Sequence, residues 1–375
     1  MTLTFFTNYV HHHQIPLADE FFKHLGDNYK YVAMEQLPDS FINGGYDPTI
    51  ERPYIVRAYE SESKMEEAKC LMLESDIVIG LAGPKGFAEL RQNQNKITFN
   101  YSERWIKQSF FHAIDPRVLY RIYKLYFKYR NNRSYMLCAS AFAAQDARYY
   151  FCYPQKCYKW GYFPKVVPKT LHEGKKIRSG HIKIMWCSRF IDWKHPELPV
   201  KLAKKLKDDN INFSINMYGS GALKDRINRL IYKLGVDDVV FLKGNLPNEQ
   251  ILQEMRNNEI FLFTSDKGEG WGAVLNEAMS QGCAVVASDL IGAAPFLIED
   301  GKNGLLFKSE SLNSLYKKVK LLLDEDYRTM ISTNAVLTMQ NLWNPQIAAE
   351  RFIHLSDRML RGLDTDYIDG PCSKV

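Results

Sequence analysis

Residues 260–288 constrain the fold more tightly than any other stretch of the chain. Ile260-Phe261-Leu262-Phe263 is a short apolar run, the pattern of a strand covered on both faces. A loop holding Gly268, Gly270 and Gly272 follows. Ala273 to Ser280 then reads as a helix that Gly282 stops, and Cys283-Ala284-Val285-Val286-Ala287 reads as a second covered strand. Strand, glycine loop, helix and strand in this order make one unit of a parallel α/β sheet.

A glycine loop that opens a helix suits an anion. Backbone N–H groups point at it, and Gly270 and Gly272 leave room for a phosphate to approach. Two carboxylates flank the loop, Glu269 before it and Glu277 a little over two helical turns later. Acids repel a phosphate, so these two are expected to accept hydroxyl hydrogen bonds from a sugar or a ribose.

Glu269, seven intervening residues, Glu277-Ala278-Met279 and the Gly282 to Val286 strand together resemble the signature of family 4 of the retaining glycosyltransferases (glycosyl transferases group 1). The resemblance implies the GT-B fold, in which two Rossmann-like domains face each other across a cleft and a C-terminal helix crosses back to the N-terminal domain. It covers the second half of the chain well and the first half loosely. A plain Rossmann-like loop with surface glutamates is the alternative.

Length fits two domains, since 375 residues are long for one core. A net charge of +6 suits an anionic ligand or an anionic membrane surface, and no nucleic-acid motif accompanies it. Seven cysteines with no C-x-x-C pair argue against a zinc or disulfide framework and for a reducing, cytoplasmic setting. Residues 1–8 lack the basic and apolar regions of a signal peptide, and no run approaches the ~20 apolar residues of a membrane span.

The first domain is expected at 1–165, joined by a C-terminal helix within about 343–375, and the second at 175–342, with a linker near 165–180 rich in Lys, Pro and Gly. Strands are expected at Thr2–Thr7, Tyr54–Arg57, Ile77–Ile79, Ile97–Phe99 and Tyr135–Ser140, with a helix from Pro16 to about Leu25. Between them the loop 8–14 carries His11, His12 and His13. Adjacent residues do not face one way, so a polar loop at the top of a parallel sheet is the better reading than a metal site.

The family often has a sugar-contacting histidine where Asn100 stands, so any such role passes here to Asn100 or to nearby Glu103 and Arg104. The alternative for Glu103 and Arg104 is an ion pair at a helix start. Arg117, Arg121, Lys124 and Lys128 recur at helical spacing among aromatic residues. From 101 to 135 there are eight basic residues and two acids, which suits peripheral contact of a 117–133 helix with an anionic membrane. A solvated basic face is the alternative.

In the second domain, the strand Ile182–Cys187 leads to Arg189 and Lys194. The resemblance implies that these two hold the donor diphosphate, and cations there would offset the charge of a departing nucleotide without a metal. It also places the Gly219 loop beside the nucleotide and the Leu246 loop against its base, with backbone N–H groups of Gly270, Trp271, Gly272 and Ala273 at the phosphates. Glu277 would hold the ribose and Glu269 the sugar. In Gly292-Ala293-Ala294-Pro295-Phe296 the family's second glycine and its acid are replaced, so donor preference does not transfer.

The expected activity is retaining transfer of a sugar from a nucleotide diphosphate, most simply UDP, to a hydroxyl of a glycan or lipid-linked glycan, with no metal or other cofactor. Arg189, Lys194, Glu269 and Glu103 form the expected catalytic set. A GT-B nucleotide-sugar epimerase and a non-catalytic binding module are the competing classes. Product from donor alone would mark the first, and nucleotide binding without turnover the second.

Overall fold

The computed structural model describes residues 1–39, 49–84, 86–107, 113–166 and 180–375. Lys85 and residues 167–179 of the expected linker lie outside that set. The chain divides into two compact units, Met1–Lys165 with Trp343–Val375, and Val166–Leu342.

The first unit is a seven-stranded sheet. Its strands are β1 (Leu3–Thr7), β2 (Tyr29–Ala33), β3 (Ile55–Arg57), β4 (Ile77–Ile79), β5 (Thr98–Ser102), β6 (Ser134–Cys138) and β7 (Cys157–Lys159). They lie in the order β3-β2-β1-β4-β5-β6-β7 and pair in parallel throughout. Leu3 of β1 is in register with Tyr29 on one side and Ile77 on the other. Parallel pairing requires a crossover after each strand, and helices supply most of these. The strand order reverses direction between β1 and β4.

One face of this sheet buries Phe6, Val32 and Val78 with Ala68 and Met72 of the helix Glu62–Glu74. Toward another part of the core, the helix Pro345–Leu360 sets Phe352 against Phe21, Phe99 and Trp160, at ring distances of 5.6, 4.9 and 5.5 Å. Asn344 caps that helix by accepting the Ile347 N–H at 2.9 Å, with Pro345 in the first turn.

The second unit is a six-stranded parallel sheet, β8 (Ile182–Cys187), β9 (Phe213–Tyr218), β10 (Val240–Gly244), β11 (Ile260–Phe263), β12 (Ala284–Ser288) and β13 (Leu305–Phe307). Its order is β10-β9-β8-β11-β12-β13. Ile184, Ile215, Ile260, Ala284 and Leu305 share its core with Leu202 and Leu206 of the helix Glu197–Asp208. Here the order reverses between β8 and β11. In open α/β sheets a ligand binds outside the carboxyl ends of the strands at such a reversal, because the two loops part there.

The basic aromatic segment departs from the single helix expected over 117–133. The helix ends at Leu125, and a 3-10 turn covers Phe127–Tyr129. Tyr126, at φ −129° and ψ −55°, breaks the helical path between them. The row Arg117, Arg121, Lys124 and Lys128 is therefore not one continuous face. Lys124 pairs with Glu89 at 3.1 Å, and the Arg130 guanidinium lies 4.0 Å from the Phe127 ring centre. Leu119, Tyr120, Tyr123 and Arg121 are exposed.

Candidate functional site

The site of the second unit is built at the β8/β11 reversal, from the loops that leave those two strands. Trp186 in β8 donates its indole N–H to Thr264 Oγ1 at 2.8 Å, and that hydroxyl donates to the Lys194 carbonyl at 2.7 Å. One buried relay thus ties the loop after β8 to the loop after β11. It holds Lys194 facing Glu269, 75 residues away, in a buried ion pair. Ser265 Oγ donates to the same carboxylate oxygen at 3.0 Å. The Lys194 ammonium also lies 4.1 Å from the Trp193 ring centre and 5.6 Å from that of Phe263. Burial pushes the Lys194 amine below its ordinary range, and Glu269 pulls it back up.

Arg189 is exposed, with its guanidinium 5.8 Å from the Trp193 ring centre. Two cations therefore stand at one loop, one free to move and one locked. Glu277 lies in the helix Val274–Ser280 and is buried beside Asn248, whose side-chain N–H donates to it at 3.5 Å. Burial raises its carboxyl to about 7. Glu277 and Lys194 both act on the Cys187 thiol at the end of β8, which burial raises to about 12. The two expected donor-holding groups are thus brought to one place.

The glycines have structural reasons of their own. Gly272 has φ +92°, and a β-carbon there would meet the Phe263 ring at 2.6 Å. Gly219 has φ +124°, and a β-carbon there would fall 1.9 Å from the Ser188 carbonyl oxygen. The loop after β9 is therefore seated on the loop after β8, and Phe190 N–H donates to the Ser220 carbonyl at 2.8 Å. Gly270 is buried, and Ala273 is the N-cap of the helix Val274–Ser280. Trp271 is buried, with its indole N–H on Asn276 Oδ1 at 2.9 Å and its carbonyl accepting the Ala293 N–H at 3.1 Å. Leu246 is half-buried after β10, and the preceding Asn245 donates to Ser220 Oγ at 3.0 Å.

Asn100 and Glu103 belong to the first unit. Asn100 is buried within β5, and Glu103 follows the strand's end. Glu103 pairs with Lys107 and accepts the Tyr162 hydroxyl at 3.2 Å. Arg104 instead approaches Asp146 at 3.7 Å and places its guanidinium 4.9 Å from the Phe142 ring centre. The two are not paired with each other. In the same unit, His11, His12 and His13 follow β1, with ring centres 5.3 Å apart for the first pair and 3.9 Å for the second. Burial depresses all three imidazoles, His11 to about 4.

Sequence reasoning assigned no role to Thr264, Ser265, Asn248, His195 or Asp266. His195 Nε2 lies 3.2 Å from Asp266 Oδ2, and potential ligand atoms of His195, Asp266 and Glu310 all lie within 4.8 Å of one another. His195 precedes Pro196, a place that favours extended backbone, so its left-handed turn carried no local signal. Thr264, Asn248 and Asp266 are joined by contacts too distant in sequence to be read from spacing, whereas Ser265 meets Glu269 only four residues on.

Comparison with known proteins bears on the second unit's sequence and on the fold. The family model described as "Glycosyl transferases group 1" matches residues 169–337. The chain is 31% identical over 162 residues to the poly(ribitol-phosphate) alpha-N-acetylglucosaminyltransferase of Staphylococcus aureus (strain COL), covering 42% of this chain and 30% of that one. It is 32% identical over 143 residues to the N-acetylgalactosamine-N,N'-diacetylbacillosaminyl-diphospho-undecaprenol 4-alpha-N-acetylgalactosaminyltransferase of Campylobacter jejuni, covering 38% of each. These alignments span well under half of either relative. In fold, the chain matches Alr3699/HepE of Anabaena, solved in complex with UDP, with a TM-score of 0.69 at 14% identity over 97% of this chain and 100% of that one. The sequence match to the glycosyl transferases group 1 model thus lies within residues 169–337, and the likeness over nearly the whole chain is one of fold, the two-sheet GT-B architecture.

Proposed function

We propose that the protein is a retaining glycosyltransferase that moves a sugar from a UDP-sugar to a hydroxyl of a glycan or lipid-linked glycan, in polysaccharide or glycoconjugate biosynthesis. One observation carries this reading. The buried Lys194–Glu269 pair, the exposed Arg189 and the buried Glu277 meet where two loops part at the carboxyl ends of β8 and β11.

In this scheme Arg189 and Lys194 neutralise the diphosphate as the glycosidic bond breaks, which lowers the barrier through charge already in place. Glu269 orients Lys194 and contacts the transferred sugar. Glu277 accepts the ribose hydroxyls, and its near-neutral carboxyl ionises on meeting those donors. Backbone N–H groups of residues 270–273 and the Gly219 and Leu246 loops border the nucleotide. The leaving phosphate takes the acceptor proton on the face where the new bond forms, which gives retention. The two side-chain cations supply the positive charge, so the scheme requires no metal ion or other cofactor.

Asn100 takes up the contact to the transferred sugar and Glu103 a catalytic polar contact to substrate, while the first unit receives the acceptor. Among the described residues no helix is long and apolar enough to cross a membrane. The exposed Leu119, Tyr120, Arg121 and Tyr123 support peripheral contact with an anionic cytoplasmic leaflet, where lipid-linked acceptors present their sugars.

The test is calorimetric titration of UDP, followed by UDP-release assays with a panel of UDP-sugars and glycan acceptors. Binding in the micromolar range, lost in Glu277→Ala, and an axial or equatorial linkage preserved in the product by NMR are expected. UDP affinity unchanged in Glu277→Ala sinks the ribose assignment, and an inverted product sinks retention.

A further inference from the structure

The residue after Lys194 is out of place for its type. His195 has φ 49° and ψ 55°, in the left-handed region that glycine and asparagine enter most readily. Its backbone N–H donates to the Asp192 carbonyl at 3.0 Å, closing the turn that carries Lys194. A residue with a β-carbon persists in such a conformation when its surroundings fix it. Here the ring does the fixing. Nδ1 lies 3.2 Å from Glu197 Oε1, at the start of the helix Glu197–Asp208, and Nε2 lies 3.2 Å from Asp266 Oδ2.

Carboxylates on both ring nitrogens call for a ring that donates from both, which is the imidazolium. The charged groups around it are Glu197 from that helix, Asp266 from the loop after β11, Glu310 from the loop after β13, and the neighbouring Lys194. Three acids against one neighbouring cation, Lys194, favour the charged ring. Glu197 most strongly, and Asp266 after it, hold its protonation above the ordinary histidine range.

Asp266 passes the hold onward. Its N–H donates to the Trp193 carbonyl at 3.0 Å, its Oδ1 accepts the Gly268 N–H at 2.7 Å, and its carbonyl accepts the Glu269 N–H at 3.1 Å. One ring therefore bridges the turn that carries Lys194 and the turn that carries Glu269.

We propose that His195 is a positioning residue that, as an imidazolium bridging Glu197 and Asp266, clamps the loop after β8 to the loop after β11 and so fixes Lys194 against Glu269 for the donor diphosphate. The assignment rests on the donor reading given above. Deprotonation removes one of the two donated hydrogen bonds, so the clamp holds at low pH and loosens as pH rises through the ring's elevated range.

His195→Asn tests it, because asparagine tolerates the left-handed backbone but carries no titrating charge. Full-length wild type and variant would be assayed for UDP-sugar turnover from pH 5.5 to 9, with thermal midpoints at each pH. The expected result is a wild-type kcat that falls on the alkaline side. The variant should be roughly tenfold slower at pH 6, as loss of one charged hydrogen bond implies, and lack that limb while acceptor KM stays unchanged. Equal kcat and equal pH profiles in the two proteins overturn the clamp.

A rise in wild-type thermal midpoint on adding Zn²⁺ alone, absent in His195→Asn, overturns it in favour of a metal site made by His195, Asp266 and Glu310. Hydrogen exchange reads the clamp without turnover: amides of 264–272 should exchange faster in the variant. If that holds while UDP fails to bind, the donor reading falls and the clamp stands. Unchanged exchange sinks the clamp by itself.

Discussion

The two units place opposite chemistry on the same topological feature. Each is an all-parallel sheet whose strand order reverses once, at β1/β4 in the first and at β8/β11 in the second. At the second reversal stand Arg189, Lys194, Glu269 and the glycine loop before Glu277. At the first stand His11, His12 and His13 after β1 and the short Gly80-Leu81-Ala82-Gly83 run after β4. Burial keeps those imidazoles uncharged near neutral pH. The sheet fixes where a ligand can sit, and the loops decide whether that place attracts an anion or a neutral, hydroxylated group.

The largest effect should come from breaking the charged side of the comparison. Lys194→Ala should lower kcat by about two orders of magnitude, roughly 3 kcal/mol of barrier, as loss of a preorganised charge donor does. Steady-state kinetics at saturating donor would measure it, and turnover within threefold of wild type would remove Lys194 from the chemistry. His13→Ala in the first unit should leave the donor KM unchanged and act on acceptor KM alone.

The next test asks whether the shared scaffold is equally rigid in both units. Gly80 has φ +82°, and a β-carbon there would lie 2.1 Å from the Phe6 carbonyl oxygen, which mirrors Gly219 over Ser188. Both clashes are with backbone, which cannot step aside. Gly80→Ala and Gly219→Ala should each cost roughly 2–3 kcal/mol in urea unfolding. Gly26→Ala is the control, since it has φ +55° and nothing within 4 Å, and it should cost roughly 1 kcal/mol. Equal losses at all three positions would mean that φ alone, and not the close approach, selects glycine here.

The last test reads opposite pH slopes. Glu277 sits at about 7 in the fold against an ordinary 4.5. The folded state therefore binds the extra proton between those values, and this group's contribution falls as pH rises from 4.5 to 7. His11 is lowered from 6.5 to about 4, so the unfolded chain binds the extra proton and stability rises with pH over that window. Glu277→Gln should flatten the first slope and raise stability at pH 8. His11→Asn should flatten the second. Urea melts at pH 5, 6.5 and 8 would separate them, and slopes of the same sign would show that burial does not control the two sites as argued.

The second unit was the more legible from sequence. The strands Ile182–Cys187 and Ile260–Phe263 appear with the expected bounds. Their apolar runs are short, covered on both faces and punctuated by glycine. The first unit hid β2 and the helices Glu62–Glu74, Phe87–Asn93 and Ala143–Tyr149. Glu62–Glu74 buries only Ala68 and Met72, so its periodicity is faint. Its one clear signal was Ser61, which caps it by accepting the Lys64 N–H at 3.2 Å. The basic segment misled because helical spacing cannot show where the path breaks at Tyr126.

By itself the sequence determined the alternation of covered strands and helices, the glycines that punctuate it, and which residue types stand in the loops after β8 and β11. These are matters of neighbouring residues and local backbone preference. Tertiary structure decided that Lys194 meets Glu269 across 75 residues, that Trp271 turns inward to Asn276, that Glu277 titrates near neutrality, and that His195 joins two loops. Pairing and proton affinity depend on how much water is excluded and on which charges are carried close, and both are properties of the folded chain.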